Sequence, residues 1–228
     1  MGAPYVSHLR LVDNSLSAML AAIEIYNKPL VPYREEIVVV MVVNAWELAL
    51  KGILRKEKQS IFYPKKRNAD YRSFSIGDCL QRVSDKKFWP KNVDGNAVRA
   101  NLDILIRYRD QAIHLYPAIS IDLILYNFLQ QNILNYRDLM LATFNKDLAD
   151  KITWRLLPLG AVAPAEDISF MKVDASLNTA KAVESFLNEL RSIVARAEKS
   201  SIDMARVATV YDLNLRSIKN IESADLVV

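Results

Sequence analysis

The segment Arg107-Tyr108-Arg109-Asp110-Gln111-Ala112-Ile113-His114-Leu115-Tyr116 gathers polar side chains that a plain core helix has no use for. Asp110 and His114 stand four residues apart. On one helix the carboxylate can therefore accept from an imidazole N–H and set its tautomer. Arg107, seven residues before His114, faces the same way, and Arg109 and Tyr116 repeat that spacing. Arg109 and His114, five apart, diverge on an ideal helix and converge where the helix ends or bends before His114. Pro117 disfavours helix immediately before it. An imidazole near neutral pKa can move a proton, and a guanidinium can hold a phosphate bidentately. Together they supply what metal-free RNA cleavage needs: a base for the 2′-hydroxyl proton and a cation for the charge growing on phosphorus. The bland alternative is a helix-end histidine bonded to a last-turn carbonyl.

Little else in the chain could support a different chemistry. His8 and His114 are the two histidines and Cys79 the one cysteine, so a metal centre would rest on carboxylates, and neither metal nor cofactor is expected. Cys79 is expected to be a small buried hydrophobe. The 228 residues are 51% hydrophobic and 25% charged, enough to bury a sizeable core without disulfide or metal. The first ten residues lack a basic region followed by an apolar run, and Val6 stands where N-myristoylation needs Ser or Thr. The most apolar window, residues 37–54, contains Asn44, Glu47 and Lys51 and reads as a buried core helix rather than a membrane span. A cytoplasmic protein with a reduced thiol and no membrane partner is expected.

The net charge of +4 is unevenly spread. Residues 51–91 hold 12 Lys and Arg against 4 Asp and Glu, whereas the remainder holds 18 against 22. Phosphate is the commonest partner of such a basic sector, and a solvated basic loop is the alternative. Within it, residues 60–63 and 71–74 flank Pro64-Lys65-Lys66-Arg67-Asn68-Ala69-Asp70, the pattern of a short basic hairpin or loop. Lys65, Lys66, Arg67 and Arg72 are its candidate RNA-binding residues. The aromatics Phe62, Tyr63, Tyr71 and Phe74 can either stack single-stranded bases or pack on one another.

These residues must be positioned by helices. Asp13-Asn14-Ser15 offers caps for a first helix that carries Leu16, Met19, Leu20 and Ile23 and stops at Asn27-Lys28-Pro29. A second runs from Tyr33-Arg34-Glu35-Glu36 to about Lys56. Its β-branched stretch could be a buried strand, but the length and the Ala45-to-Leu50 continuation favour helix. A short helix is expected over 76–83, and another after Asp94-Gly95-Asn96, striped with Val98, Leu102, Leu105 and Ile106, ending near Pro117. A long helix covers about 120–144. Pro158, Gly160 and Pro164 mark a break. Beyond it, 177–197 reads as helix and 207–215 as strand, and the apolar last residues suggest a final buried strand or a piece of something longer. The reading is a mainly α chain: a helical domain over 14–157 and a helix-plus-strand appendage over 158–228.

Arg109-Asp110-Gln111-Ala112-Ile113-His114 resembles the R-x4-6-H motif of the HEPN superfamily, and the extension to Tyr116 resembles the R-x4-H-x-Y form of HepT-type toxins. Asn44-Ala45-Trp46-Glu47-Leu48-Ala49-Leu50-Lys51 resembles the early HEPN helix with its Glu-x-x-x-Lys signature. Ala22-Ile23-Glu24-Ile25-Tyr26-Asn27-Lys28-Pro29 and Arg99-Ala100-Asn101-Leu102 resemble an uncharacterised bacterial branch associated with that superfamily. The resemblance covers roughly residues 14–150. It implies a HEPN-like helical bundle, with the basic hairpin as an insertion, that forms a homodimer through its motif-bearing helices. It also implies metal-independent cleavage of single-stranded RNA in a composite cleft, leaving a 2′,3′-cyclic phosphate, in a bacterial toxin or anti-phage defence system.

By position, Arg109 would bind the scissile phosphate, His114 would act as general acid/base and Asp110 would orient them. Tyr116 matches the tyrosine that an antitoxin nucleotidyltransferase can modify. Arg107 fits the wider motif spacing, so the catalytic arginine is Arg107 or Arg109. Leu115 replaces the small residue that often follows the histidine. Glu47 and Lys51 are a stabilising helix-surface pair or, with Asn44, a buried supporting network. A HEPN-fold module that binds nucleic acid or protein without turnover is the alternative function, and a helical domain of a larger effector is a third.

Overall fold

The helix at residues 34–56 is apolar around most of its circumference, which obliges other elements to surround it. The computed structural model describes residues 4–28, 31–65, 67–112 and 122–152, with 188–189, 191–193, 195–197, 199–200, 202 and 206 of the C-terminal segment. These residues are mainly helical: α1 (His8–Tyr26), α2 (Arg34–Lys56), α3 (Ile76–Asp85), α4 (Gly95–Ala112) and α5 (Asp122–Phe144), followed by a 3-10 turn at Leu148–Lys151. α2 is long and apolar enough to cross a membrane, yet 67% of its most apolar stretch is buried inside the protein. Charged Glu36 and Lys51 lie within it, both buried.

α1 packs along α2 through Leu11, Val12, Leu16, Met19 and Ile23, an i, i+3, i+4 stripe. The helix starts at His8, ahead of the Asp13-Asn14-Ser15 caps expected from sequence. Ser15 caps nothing; it lies buried in mid-helix, its hydroxyl donating to the Ala45 carbonyl at 2.6 Å. With that hydrogen spent, the Tyr136 O–H is the donor to Ser15 Oγ, also at 2.6 Å. At Gly52 a Cβ would stand 3.1 Å from Val12 of α1 and 3.4 Å from Phe144 of α5, so the glycine lets three helices meet closely.

A buried chain of amides ties α2, α4 and α5 together. Trp46 Nε1 donates to Asn132 Oδ1 at 2.6 Å, Asn132 Nδ2 to Asn101 Oδ1 at 2.7 Å, and Asn101 Nδ2 to the Phe128 carbonyl at 2.9 Å. The edge of Tyr136 meets Trp46 with ring centroids 5.5 Å apart. α1 and α4 run one way, α2 and α5 the other: Tyr26 meets Arg34 and Tyr126 at one end, where Tyr108 also meets Glu36. At the opposite end a cleft of about 340 Å³ is lined by His8, Lys56 and Phe144.

The basic segment pairs its two arms antiparallel through a single bridge, Phe62 with Ser73, and no strand forms among the described residues. Tyr63 N donates to the Arg72 carbonyl at 3.0 Å and Phe74 N to Ile61 at 2.9 Å. In the C-terminal segment, Ile193 and Ala197 are buried in the same core as the five helices. Most of the expected 177–197 helix, the 207–215 strand and the chain end lie outside the described residues.

Asn132→Ala strands two buried polar atoms, Trp46 Nε1 and Asn101 Oδ1. We predict a loss of about 2–4 kcal/mol in unfolding free energy, read by urea denaturation. Trp46→Phe in that background should cost less than the sum of the two single changes, because one stranded donor disappears with the indole.

Candidate active site at one end of the bundle

Four helix ends meet where α4 presents its last described turn. Arg34, in the first turn of α2, lies over the Tyr26 ring of α1 at 5.2 Å, and Tyr26 packs on Tyr126 of α5 with centroids 6.0 Å apart. Tyr108 is 4% exposed and its hydroxyl donates to Glu36 Oε1 at 3.3 Å, pinning the end of α4 against the start of α2. On either side of this anchor stand the two candidate arginines.

They differ in what holds them. Arg107 forms an ion pair with Glu189 of the C-terminal segment. One turn earlier on the same face, half-buried Asp103 has Arg99, Arg107 and Arg196 as neighbours, and its carboxyl lies above the usual range because burial outweighs them. Arg109 instead turns to its own neighbour: Nε and Nη2 donate to Asp110 Oδ1 at 3.0 and 2.8 Å. Both bonds converge on one oxygen, so the pair lacks the two-oxygen fork that holds an arginine most firmly. The Asp110 side chain is 61% exposed and that of Arg109 27%. An incoming phosphate could therefore take over the guanidinium without breaking a buried pair. His114 and Tyr116 lie outside the described residues, as does Lys66.

The other expected supporting residues lie elsewhere. Lys51, buried, donates to half-buried Glu47 at 2.5 Å and to Ser73 Oγ at 3.0 Å, which makes the Glu47–Lys51 pair a brace for the basic segment. Fifteen residues along α2 separate it from Glu36, about 22 Å at the helical rise, so it does not reach Arg109. Asn44 is exposed on α2, eight residues from Glu36. Cys79 is fully buried near Lys51 and Glu47, and burial pushes its thiol up to about 12, which removes it as a nucleophile. Among the described residues no three His, Cys, Asp or Glu side chains gather to hold a metal ion.

In the basic segment, Phe62 packs on Tyr71 and Tyr63 on Phe74, with centroids 5.9 and 4.9 Å apart. Lys65 sits over Tyr71 at 5.0 Å, Arg72 over Tyr63 at 5.5 Å and Arg82 over Phe74 at 4.0 Å. The rings pack on each other, while Lys65, Arg67 and Arg72 remain exposed. Sequence reasoning missed Tyr26, Arg34, Glu36 and Tyr126, which no common spacing links to Arg109.

Residues 10–194 match the family described as "Domain of unknown function (DUF3644)". The chain belongs to the DUF3644 family. The matched span takes in the Arg107-to-Tyr116 segment and the basic segment, and crosses the break at 158–164. Searches of curated proteins and of solved structures found no match. The DUF3644 description carries no activity, so the chemistry rests on the geometry above.

Tyr108→Phe removes the donor to buried Glu36 while leaving both arginines in place. We predict a stability loss of about 1–3 kcal/mol by urea denaturation, the usual cost of depriving a buried acceptor.

Proposed function

We propose that this protein is a metal-independent endoribonuclease of the HEPN type, acting as a homodimer in a bacterial toxin or anti-phage defence system. One observation carries the reading. Arg109, in the last described turn of α4 and four residues ahead of Ile113-His114, is partly exposed and, among the described residues, held by its neighbour Asp110. Arg107, the other arginine of suitable spacing, is engaged by Glu189, which supports Arg109 as the phosphate ligand.

In this reading His114 takes the proton of a ribose 2′-hydroxyl as its oxygen attacks the adjacent phosphorus, and Arg109 stabilises the charge that accumulates on the phosphate oxygens. The histidine of the second protomer returns a proton to the departing 5′-oxygen, leaving a 2′,3′-cyclic phosphate and a 5′-hydroxyl. Asp110 exchanges its hold on Arg109 for a hold on the imidazole as the phosphate arrives. The exposed Lys65, Arg67 and Arg72 guide the RNA backbone. Tyr116 is the point at which a nucleotidyltransferase antitoxin silences the enzyme.

The test is incubation with end-labelled single-stranded RNA and with total tRNA in excess EDTA. Wild type should cleave and leave cyclic-phosphate ends. His114→Ala and Arg109→Ala should each lose about 100-fold or more, with the dimer mass unchanged. Arg107→Ala should retain most of the activity. RNA binding without cleavage by the wild type would mean a HEPN-fold binding module instead.

A further inference from the structure

Among the described residues, five that are not glycine adopt positive φ: Tyr33, Lys58, Asn68, Lys87 and Asn145. Four have ordinary reasons. Lys58 and Lys87 end helices, with Gln59 N bonded back to the Leu54 carbonyl at 2.7 Å and Phe88 N to Val83 at 3.0 Å. Asn68 and Asn145 are asparagines, which tolerate the left-handed region. Tyr33 stands apart. It precedes a helix and holds a bulky aromatic ring at φ 59°, ψ 30°, where such residues are rare. The residue is 50% exposed.

The surroundings give that conformation a use. Tyr33 precedes Glu36 by one turn, about 5 Å along α2, and Glu36 anchors Tyr108, the neighbour of Arg109. Its chain neighbour Arg34 is bound by Glu35 at 2.6 and 2.9 Å and lies over Tyr26, which in turn packs on Tyr126. Aromatic and cationic side chains therefore gather at the same end of the bundle as the partly exposed Arg109. Single-stranded nucleic acids are held by this combination, since every base has a π-face that stacks on an aromatic ring. We propose that Tyr33, at the same helix ends as Arg34 and Tyr26, is a nucleobase-stacking subsite for a nucleotide flanking the phosphate at Arg109. The inference rests on the RNA reading above and adds a base-binding contact that the arginine–histidine motif does not contain. Stacking of this kind is tolerant of sequence, so the subsite would fix the strand without selecting one base.

The test uses the full chain carrying His114→Ala, which blocks turnover, and fluorescence anisotropy with a labelled single-stranded 12-nucleotide RNA. A second probe is the same strand with abasic positions. Adding Tyr33→Ala should weaken binding of the base-bearing strand by about 5- to 150-fold, the range one lost base stack carries. Tyr33→Phe should bind as the parent, and Tyr33→Asn, which suits the left-handed backbone, should lose as much as Ala with folding intact. The abasic strand should bind parent and variants alike. Equal affinity of the parent and Tyr33→Ala for the base-bearing strand would overturn the subsite, as would an equal loss on the abasic strand. A change of dimer mass without a change in RNA affinity would make Tyr33 a protein contact and also overturn it. If the parent binds neither strand, the RNA reading itself fails, an outcome distinct from the others.

Discussion

The hydrogen-bond chain from Trp46 through Asn132 to Asn101 and the Phe128 carbonyl is the constraint on which the bundle depends. All its side chains are buried, so each polar atom must find its partner or carry an uncompensated desolvation cost. Apolar packing along α2 would tolerate small slides of its neighbours, because dispersion and burial are not directional. The amide chain is directional: a shift of α4 or α5 by one turn would strand several donors and acceptors at once. Ser15 and Tyr136 do the same for α1 and α5. The burial that pushes the Tyr136 phenol pKa upward keeps that hydroxyl a neutral donor.

Setting the helix register in mid-bundle sets it at the ends. From Asn101 to Arg109 is little more than two turns of α4, about 12 Å. From Asn132 back to Tyr126 is less than two turns of α5. The amide chain therefore delivers Tyr108 to Glu36 and Tyr126 to Tyr26, and with them the position of Arg109. Stability and the candidate chemistry occupy separate layers of the same helices. A polar residue in the middle layer sets geometry, and the residues at the end carry the candidate chemistry.

The two arginines illustrate how partners separate residues that look alike in sequence. Arg107 faces the C-terminal segment, with Glu189 as its ion partner and Asp103 one turn before it. Arg109, two residues on, points away from that face and has an exposed, single-oxygen partner in Asp110. Ideal helical spacing favoured Arg107 as the companion of His114. The Glu189 contact, 82 residues distant in sequence, lies beyond any local pattern.

Much of the architecture was legible in the residues. Apolar periodicity located α1 to α5 of the described residues, the acidic turn at Glu35-Glu36 marked the start of α2, and Trp46 and Cys79 were readable as core. Local capping was less dependable: Asp13, Asn14 and Ser15 look like a helix start, but Ser15 bonds across the interior instead, because a partner on α2 satisfied it better than its own backbone could. Glu47 and Lys51 announced an ion pair by their spacing, yet only the fold decided that it braces Ser73 rather than Arg109. The aromatics of the basic segment could face solvent or each other, and the antiparallel arms closed them together. The sequence by itself determined the helices of the described residues, because apolar periodicity is a local property. Tertiary structure alone decided which helix ends share a corner, bringing Tyr26, Arg34, Glu36 and Tyr126 to Arg109, because that choice is made by buried hydrogen bonds between residues far apart in the chain.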